Sequence, residues 1–183
     1  MSKFETLYPL ILANEVSPTN PTGLVDIPGD TGGVTKWGIS QRSWSQLYYK
    51  YADYPIHVTD LTGEQAKVIY EKEYYPNVCD GLPMGAALIV FDCNVNQGIG
   101  IKCLQIALGV TPDGLVGPET TGAIRLALRD VPALIDNLLW ARLGEYQRIS
   151  KASTVNQGFL AKLWVPRLLT LRRAAHQFEA SNG

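Results

Sequence analysis

The chain has 183 residues, enough for one domain of ordinary size and too few for two large independent cores. Sixteen Lys and Arg against seventeen Asp and Glu leave a formal charge of -1, which excludes a global field that would recruit nucleic acid or an anionic membrane. The cysteines, Cys79, Cys93 and Cys103, lack CxxC spacing, and His57 and His176 stand far apart, so a disulfide framework and a zinc site are both disfavoured.

In chain order, Phe4, Leu7, Leu10/Ile11 and Asn14/Glu15 follow helical spacing and place Glu15 near the end of a first helix. Only Lys3 precedes the apolar residues, and Glu5, Thr6 and Pro9 interrupt them, so this terminus reads as mature structure rather than a secretory signal. No stretch approaches the roughly 20 apolar residues of a membrane helix, and no membrane insertion is expected. From Val16 to Gly38 three prolines and five glycines predict a loop or small hairpin. A helix over 40–51 is predicted with Ser40 as its cap, and another after Thr59, Asp60 or Thr62. The segment MGAALIVFDCNVNQG, apolar nearly all round, predicts a buried central helix. Ile101, Leu104 and Leu108 continue as a helix to Gly109, Pro112-Asp113-Gly114-Leu115 is turn chemistry, and Gly117-Pro118 opens the next helix. Ile135, Leu139, Leu143 and Tyr146 share one helical face, and Trp164, Leu168, Leu171, Ala175 and Phe178 share another. The sum is a mainly α protein with one irregular or hairpin insert after its first helix. Two lobes, 1–80 and 81–183, are expected within one compact domain.

Among residues able to do chemistry, no Ser-His or Cys-His arrangement has motif context, and Gly98-Ile99-Gly100 lacks the third glycine and preceding strand of a nucleotide cradle. What remains is Glu15, Asp26, Asp30 and Thr35. Glycosidic cleavage requires an acid that protonates the leaving oxygen and a polar partner that serves the attacking water. The first needs apolar surroundings and the second a wet turn. Glu15 follows Ile11, Leu12 and Ala13, whereas Asp30 and Thr35 fall in a Gly-rich turn. Plainer roles stand beside each: a solvated glutamate at a helix end, an aspartate closing a turn, and Trp37 and Trp44 as core rather than sugar platforms. Asn96 serves either backbone or sugar, and Asp113 is first a loop residue, with binding as a second role. The thiols are expected reduced and buried, with a Cys93–Cys103 bridge as the alternative.

The run Gly23-Leu24-Val25-Asp26-Ile27-Pro28-Gly29-Asp30-Thr31-Gly32-Gly33-Val34-Thr35-Lys36-Trp37-Gly38-Ile39 resembles the N-terminal signature of the glycoside hydrolase family 108 muramidases, mostly phage endolysins. Glu15 stands where that family keeps its catalytic acid. Asp92-Cys93-Asn94-Val95-Asn96-Gln97-Gly98 is similar to the family's central helix, and Asp113-Gly114-Leu115-Val116-Gly117-Pro118-Glu119-Thr120 to its peptidoglycan-binding pattern. Trp164-Val165-Pro166-Arg167 falls at a Gly-Trp-x-x-Arg motif, here without the glycine. The chain departs after Glu15: where the family reads Glu-Gly-Gly, it reads Glu15-Val16-Ser17-Pro18-Thr19-Asn20-Pro21-Thr22-Gly23, so the first glycine is gone and about six extra residues sit between the acid and the hairpin. Such an insertion either moves Glu15 off the cleft or bulges outward, and the outward bulge is the expectation.

The resemblance implies a lysozyme-like α fold and hydrolysis of the β-1,4 bond between N-acetylmuramic acid and N-acetylglucosamine. Glu15 would be the proton donor, and Asp30 and Thr35 would order the attacking water or stabilise the oxocarbenium-like transition state, with Asp26, Trp37, Asn96 and Asp113 binding substrate. Neither metal nor cofactor is called for. The expected partner is bacterial peptidoglycan, met by a monomer made in a host cytoplasm and released by a holin-type pore; a wall-binding pseudo-enzyme and a bacterial effector are the rivals.

Overall fold

The structure, a computed structural model, describes residues 2–17, 19–26, 32–152 and 154–181. It is mainly helical, with a single small antiparallel ribbon among the described residues, and its backbone gathers into two compact units, 1–74 and 75–183.

The first unit opens with α1 (Lys3–Glu15), capped by the Ser2 side chain on the Glu5 N–H. Phe4, Leu7, Tyr8 and Ile11 bury one face of this helix, which continues through Pro9. The ribbon follows: β1 (Thr35–Lys36) pairs with β2 (Ile39–Ser40), Thr35 opposite Ser40 and Lys36 opposite Ile39. Val25 adds a bridge to Thr35, with N···O distances of 2.9 and 2.8 Å. Two residues, Trp37 and Gly38, make the turn with φ of 55° and 76°, and positive φ at both central positions lets a two-residue loop match strand twist.

Ser40 caps α2 (Gln41–Ser45) as expected, but the helix stops at Ser45 instead of reaching Tyr51. Trp44 is fully buried, donates its indole N–H to the Pro55 carbonyl at 2.9 Å, and packs against Tyr51 and Tyr54 at ring distances of 5.7 and 6.2 Å. The chain wraps this side chain through a 3₁₀ turn at Tyr48–Lys50, which a continuous helix would not allow. Thr62 caps α3 (Gly63–Ile69) in a reciprocal capping box with Gln65, and a π-helical turn, Tyr70–Tyr74, prolongs it.

The second unit is built around α4 (Met84–Gln97), whose residues from Gly85 to Cys93 are all buried and which ends at left-handed Gly98. α5 (Gly100–Leu108), α6 (Pro118–Ala127), α7 (Val131–Ser150), α8 (Thr154–Phe159) and α9 (Val165–Ala180) complete the unit. A β-carbon at Gly85 would stand 2.5 Å from the Ala175 carbonyl oxygen, so glycine there is what lets α4 and α9 approach. Glu179 of α9 accepts from the Gly85 N–H at 2.9 Å, satisfying a donor in the first turn of α4. Cys79, Cys93 and Cys103 are free and buried, as the odd count and spacing suggested. Among the described residues, no helix is long and apolar enough to cross a membrane.

Candidate active site

Glu15, the last residue of α1, is half-buried and lies directly under the turn of the ribbon. A β-carbon at Gly38 would be 2.8 Å from Glu15 Cβ, 3.0 Å from Glu15 Cγ and 2.5 Å from Tyr70 Oη. The tip of the ribbon therefore rests on the stem of the carboxyl side chain, at a spacing only glycine permits.

Three bonds hold that tip. The Trp37 N–H donates to the Thr22 carbonyl at 2.6 Å, the Trp37 indole N–H to the Leu61 carbonyl at 3.1 Å, and the Tyr70 hydroxyl to the Trp37 carbonyl at 3.0 Å. Left-handed backbone at a tryptophan costs of order 1–3 kcal/mol and persists only where its surroundings over-determine it, which these contacts do. Tyr70 is itself set by a ladder of rings along the buried face of α1: Phe4 to Tyr8 at 5.4 Å, Tyr8 to Tyr70 at 5.3 Å and Tyr70 to Tyr74 at 5.3 Å. Burial pushes the Tyr8 hydroxyl up to about 12, with the Glu64 charge adding to the effect. The apolar residues of α1 thus fix both the carboxyl and the clamp above it.

The insertion after Glu15 closes on itself. Ser17 and Asn20 exchange backbone bonds at 3.3 and 3.0 Å, Asn20 Nδ2 donates to the Leu24 carbonyl at 3.1 Å, and Ser17 and Thr19 are exposed. Chain direction then reverses at Gly23, where a β-carbon would stand 3.1 Å from the Glu15 carbonyl oxygen. The segment leaves and re-enters beside Glu15, so it bulges outward without separating the carboxyl from the ribbon.

The other expected residues divide between the two units. Thr35 lies on β1, half-buried, and its hydroxyl makes no hydrogen bond to another described residue. Asp26 is exposed, immediately after the Val25 bridge. Asp30 lies outside the described residues. The Trp37 ring packs 3.5 Å from where a β-carbon of Gly63 would sit, so part of its surface serves the fold.

In the second unit Asp113 Oδ1 accepts from Gln105 Nε2 at 2.7 Å and from the Leu115 N–H at 2.8 Å, and Gln105 Oε1 accepts from the Gly114 N–H at 2.7 Å. The Leu115 N–H and then Gln105 hold the Asp113 carboxyl below its ordinary range. The Asp-Gly-Leu loop is tied to buried Gln105 in this way. Asn96 Oδ1 accepts from the Tyr146 hydroxyl at 2.6 Å.

That bond is the rim of a buried cluster which spacing did not reveal. Asp92, fully buried, takes Arg142 Nη1 on Oδ2 at 2.6 Å and is gripped by Arg167 through Nε at 3.0 Å and Nη2 at 2.8 Å. Arg142 also reaches the Gln97 Oε1 atom at 3.0 Å and the Tyr146 hydroxyl at 2.9 Å, and Tyr146 stacks on Trp164 at 4.8 Å. Burial alone would raise the Asp92 carboxyl, but the two guanidinium charges outweigh it and hold it low.

Residues 11–98 match the family model described as glycosyl hydrolase 108, and residues 99–169 match the one described as predicted peptidoglycan domain. The first of these regions is thus similar to a glycosyl hydrolase 108 domain and the second to a peptidoglycan domain, a pairing that supports a glycoside hydrolase acting on the cell wall. Among solved structures, SagA of Brucella abortus superposes with a TM-score of 0.76 at 29% sequence identity, covering 96% of this chain and 94% of that one. No curated protein matches the chain.

Proposed function

We propose that the chain is a muramidase that hydrolyses the β-1,4 bond between N-acetylmuramic acid and N-acetylglucosamine, with Glu15 as proton donor. The observation that carries this reading is the seat of the Gly38 turn on the Cβ and Cγ atoms of Glu15. The donor is fixed on a helix, and a polar ribbon bearing Thr35 crosses above it.

Glu15 delivers its proton to the glycosidic oxygen as the bond to the anomeric carbon breaks. A water ordered by Thr35 and Asp30 attacks that carbon from the opposite face, giving inversion and a new reducing end. Asp26, next to the Val25 bridge, and Trp37, in the turn of the ribbon, contact the sugars on either side of the break. Lysis of a host wall after holin-type release is the biological setting that suits this chemistry.

Mass spectrometry of digested sacculi tests the reading. Wild-type protein should release fragments with reducing-end muramic acid, and Glu15→Gln should lower the rate by at least about a hundredfold, the scale of a lost acid. Reducing-end glucosamine would replace the bond assignment, and equal rates for both proteins would remove Glu15 from the reaction.

A further inference from the structure

Two thiols meet where α4 turns into α5, and the Glu15 site uses neither. Cys93 and Cys103 are fully buried, and their Sγ atoms lie within hydrogen-bonding reach of each other. Gly100 makes the approach possible. A β-carbon there would stand 2.5 Å from the Val90 carbonyl oxygen and 2.8 Å from Asn94 Cβ, so the first turn of α5 rests directly on the backbone of α4. The Gly100 N–H also donates to Asn94 Oδ1 at 3.3 Å. Cys93 lies one helical turn beyond Val90 and Cys103 one turn beyond Gly100, which sets both on the faces that touch.

The surroundings suit a bond between them. Cys93 donates to Gln97 Oε1 at 3.5 Å, but that oxygen also accepts from Arg142 Nε at 3.0 Å and keeps a partner if the thiol proton is lost. A disulfide is apolar and can remain buried without further polar contacts. Cys79 is the bystander: it donates to the Ala87 carbonyl at 3.7 Å, nearly two turns back along α4 from Cys93.

We propose that Cys93 and Cys103 are a modification site, closed to an intramolecular disulfide that staples α4 to α5 when the chain folds in an oxidising compartment. Cys93 falls in the region matched to glycosyl hydrolase 108 and Cys103 in the region matched to the peptidoglycan domain, so the bond ties the two across their boundary. One cysteine thiolate attacks a sulfur of an external disulfide, glutathione disulfide or the active disulfide of a thiol oxidase, and expels one of its thiolates. The second cysteine gives up its proton, attacks the mixed disulfide at the protein sulfur and expels the other. Two protein thiols and one external disulfide become one protein disulfide and two external thiols, with two electrons passing to the oxidant. Both sulfurs are shielded once α5 is seated, so closure belongs to folding. The inference rests on the cell wall as the place of action, because the wall lies outside the reducing cytoplasm, and is independent of which bond is cut.

Refolding of the full-length protein with reduced and oxidised glutathione tests it, read by thiol counting under denaturant and by non-reducing peptide mapping. Only the Cys79 thiol should remain, with the peptides that carry Cys93 and Cys103 linked and the chain lighter by two hydrogens. The oxidised form should melt roughly 5–10 °C above the reduced form, the scale of one native bridge in a chain of this length. Cys79→Ala should keep the link and the shift, and Cys103→Ala should lose both. If Cys103→Ala does not fold, the peptide map of the parent decides alone. All three thiols still free after refolding, glutathione retained on Cys93 or Cys103, or a bond to Cys79 overturns the proposal. A 93–103 bond that leaves melting unchanged overturns its role as a staple. Glu15→Gln should close the bond as the parent does; because closure is read without glycan, its failure and a failure of the muramidase reading are separate results.

Discussion

Replacing Gly38 by alanine tests the geometry on which the proposed acid depends. The added β-carbon would meet Tyr70 Oη at 2.5 Å and the Cβ and Cγ atoms of Glu15 at 2.8 and 3.0 Å. The Tyr70 ring is held by Tyr8 and Tyr74, and Glu15 Cβ is fixed to the helix backbone, so the ribbon tip must lift by about 1 Å to reach ordinary contact. Left-handed backbone at a residue other than glycine adds about 1–2 kcal/mol, and overpacking of this kind about 1–3 kcal/mol. The sum, about 2–5 kcal/mol, should lower the melting temperature by roughly 5–15 °C in a chain of this length. A displacement of that size at a catalytic group costs about a hundredfold in rate, read as kcat/KM on sacculi. Tyr70→Phe removes the nearest oxygen, so the double variant should be less destabilised than the sum of the singles by about 1 kcal/mol. Gly122→Ala is the control: it lies inside α6 with nothing within 4 Å of an added β-carbon, and should stabilise by about 0.5–1 kcal/mol. Gly38→Ala with parental melting and parental activity would refute the packing of the ribbon on Glu15.

Asp92→Asn leaves Arg142 buried without its carboxylate and should cost about 3–5 kcal/mol, measured by urea unfolding. Because the folded state holds this carboxyl low, its stabilisation is complete above the ordinary aspartate value near 4 and is lost as pH falls through the depressed folded value. Stability measured from pH 6 downward should therefore fall less steeply in Asp92→Asn than in the parent. Gln105→Ala unties Asp113, Gly114 and Leu115 at once and should destabilise by roughly 3 kcal/mol, with faster amide exchange confined to the 111–120 loop.

Local chemistry made much of this fold legible. Caps at Ser40 and Thr62, left-handed ends at Gly98 and Gly109, and the Gly117-Pro118 start depend on a few adjacent residues, and they fall where composition places them. The buried stretch of α4, Gly85 to Cys93, was legible for the same reason, since a helix apolar on nearly every side has only one place to go. The Asp92–Arg142–Arg167 cluster was not, because its members stand 50 and 75 residues apart and each, taken alone, looks like a surface charge. Tyr70 escaped notice too: a tyrosine in a run of Glu and Lys gives no sign that its hydroxyl will reach a turn 33 residues earlier. The hairpin and the helix-end acid could be read separately, but their contact depends on Gly38 and Gly23, whose value lies in side chains they lack.

The loop at 16–23 begins and ends at one point, beside the Glu15 carbonyl. Its length is thus decoupled from the aim of the carboxyl, and closure entropy penalises added residues only slowly. An affinity tag or fluorophore-bearing peptide spliced at Thr19-Asn20 would be carried beside the proposed site without re-pointing the Glu15 side chain. The excursion can serve as a ready-made port for reporting substrate arrival.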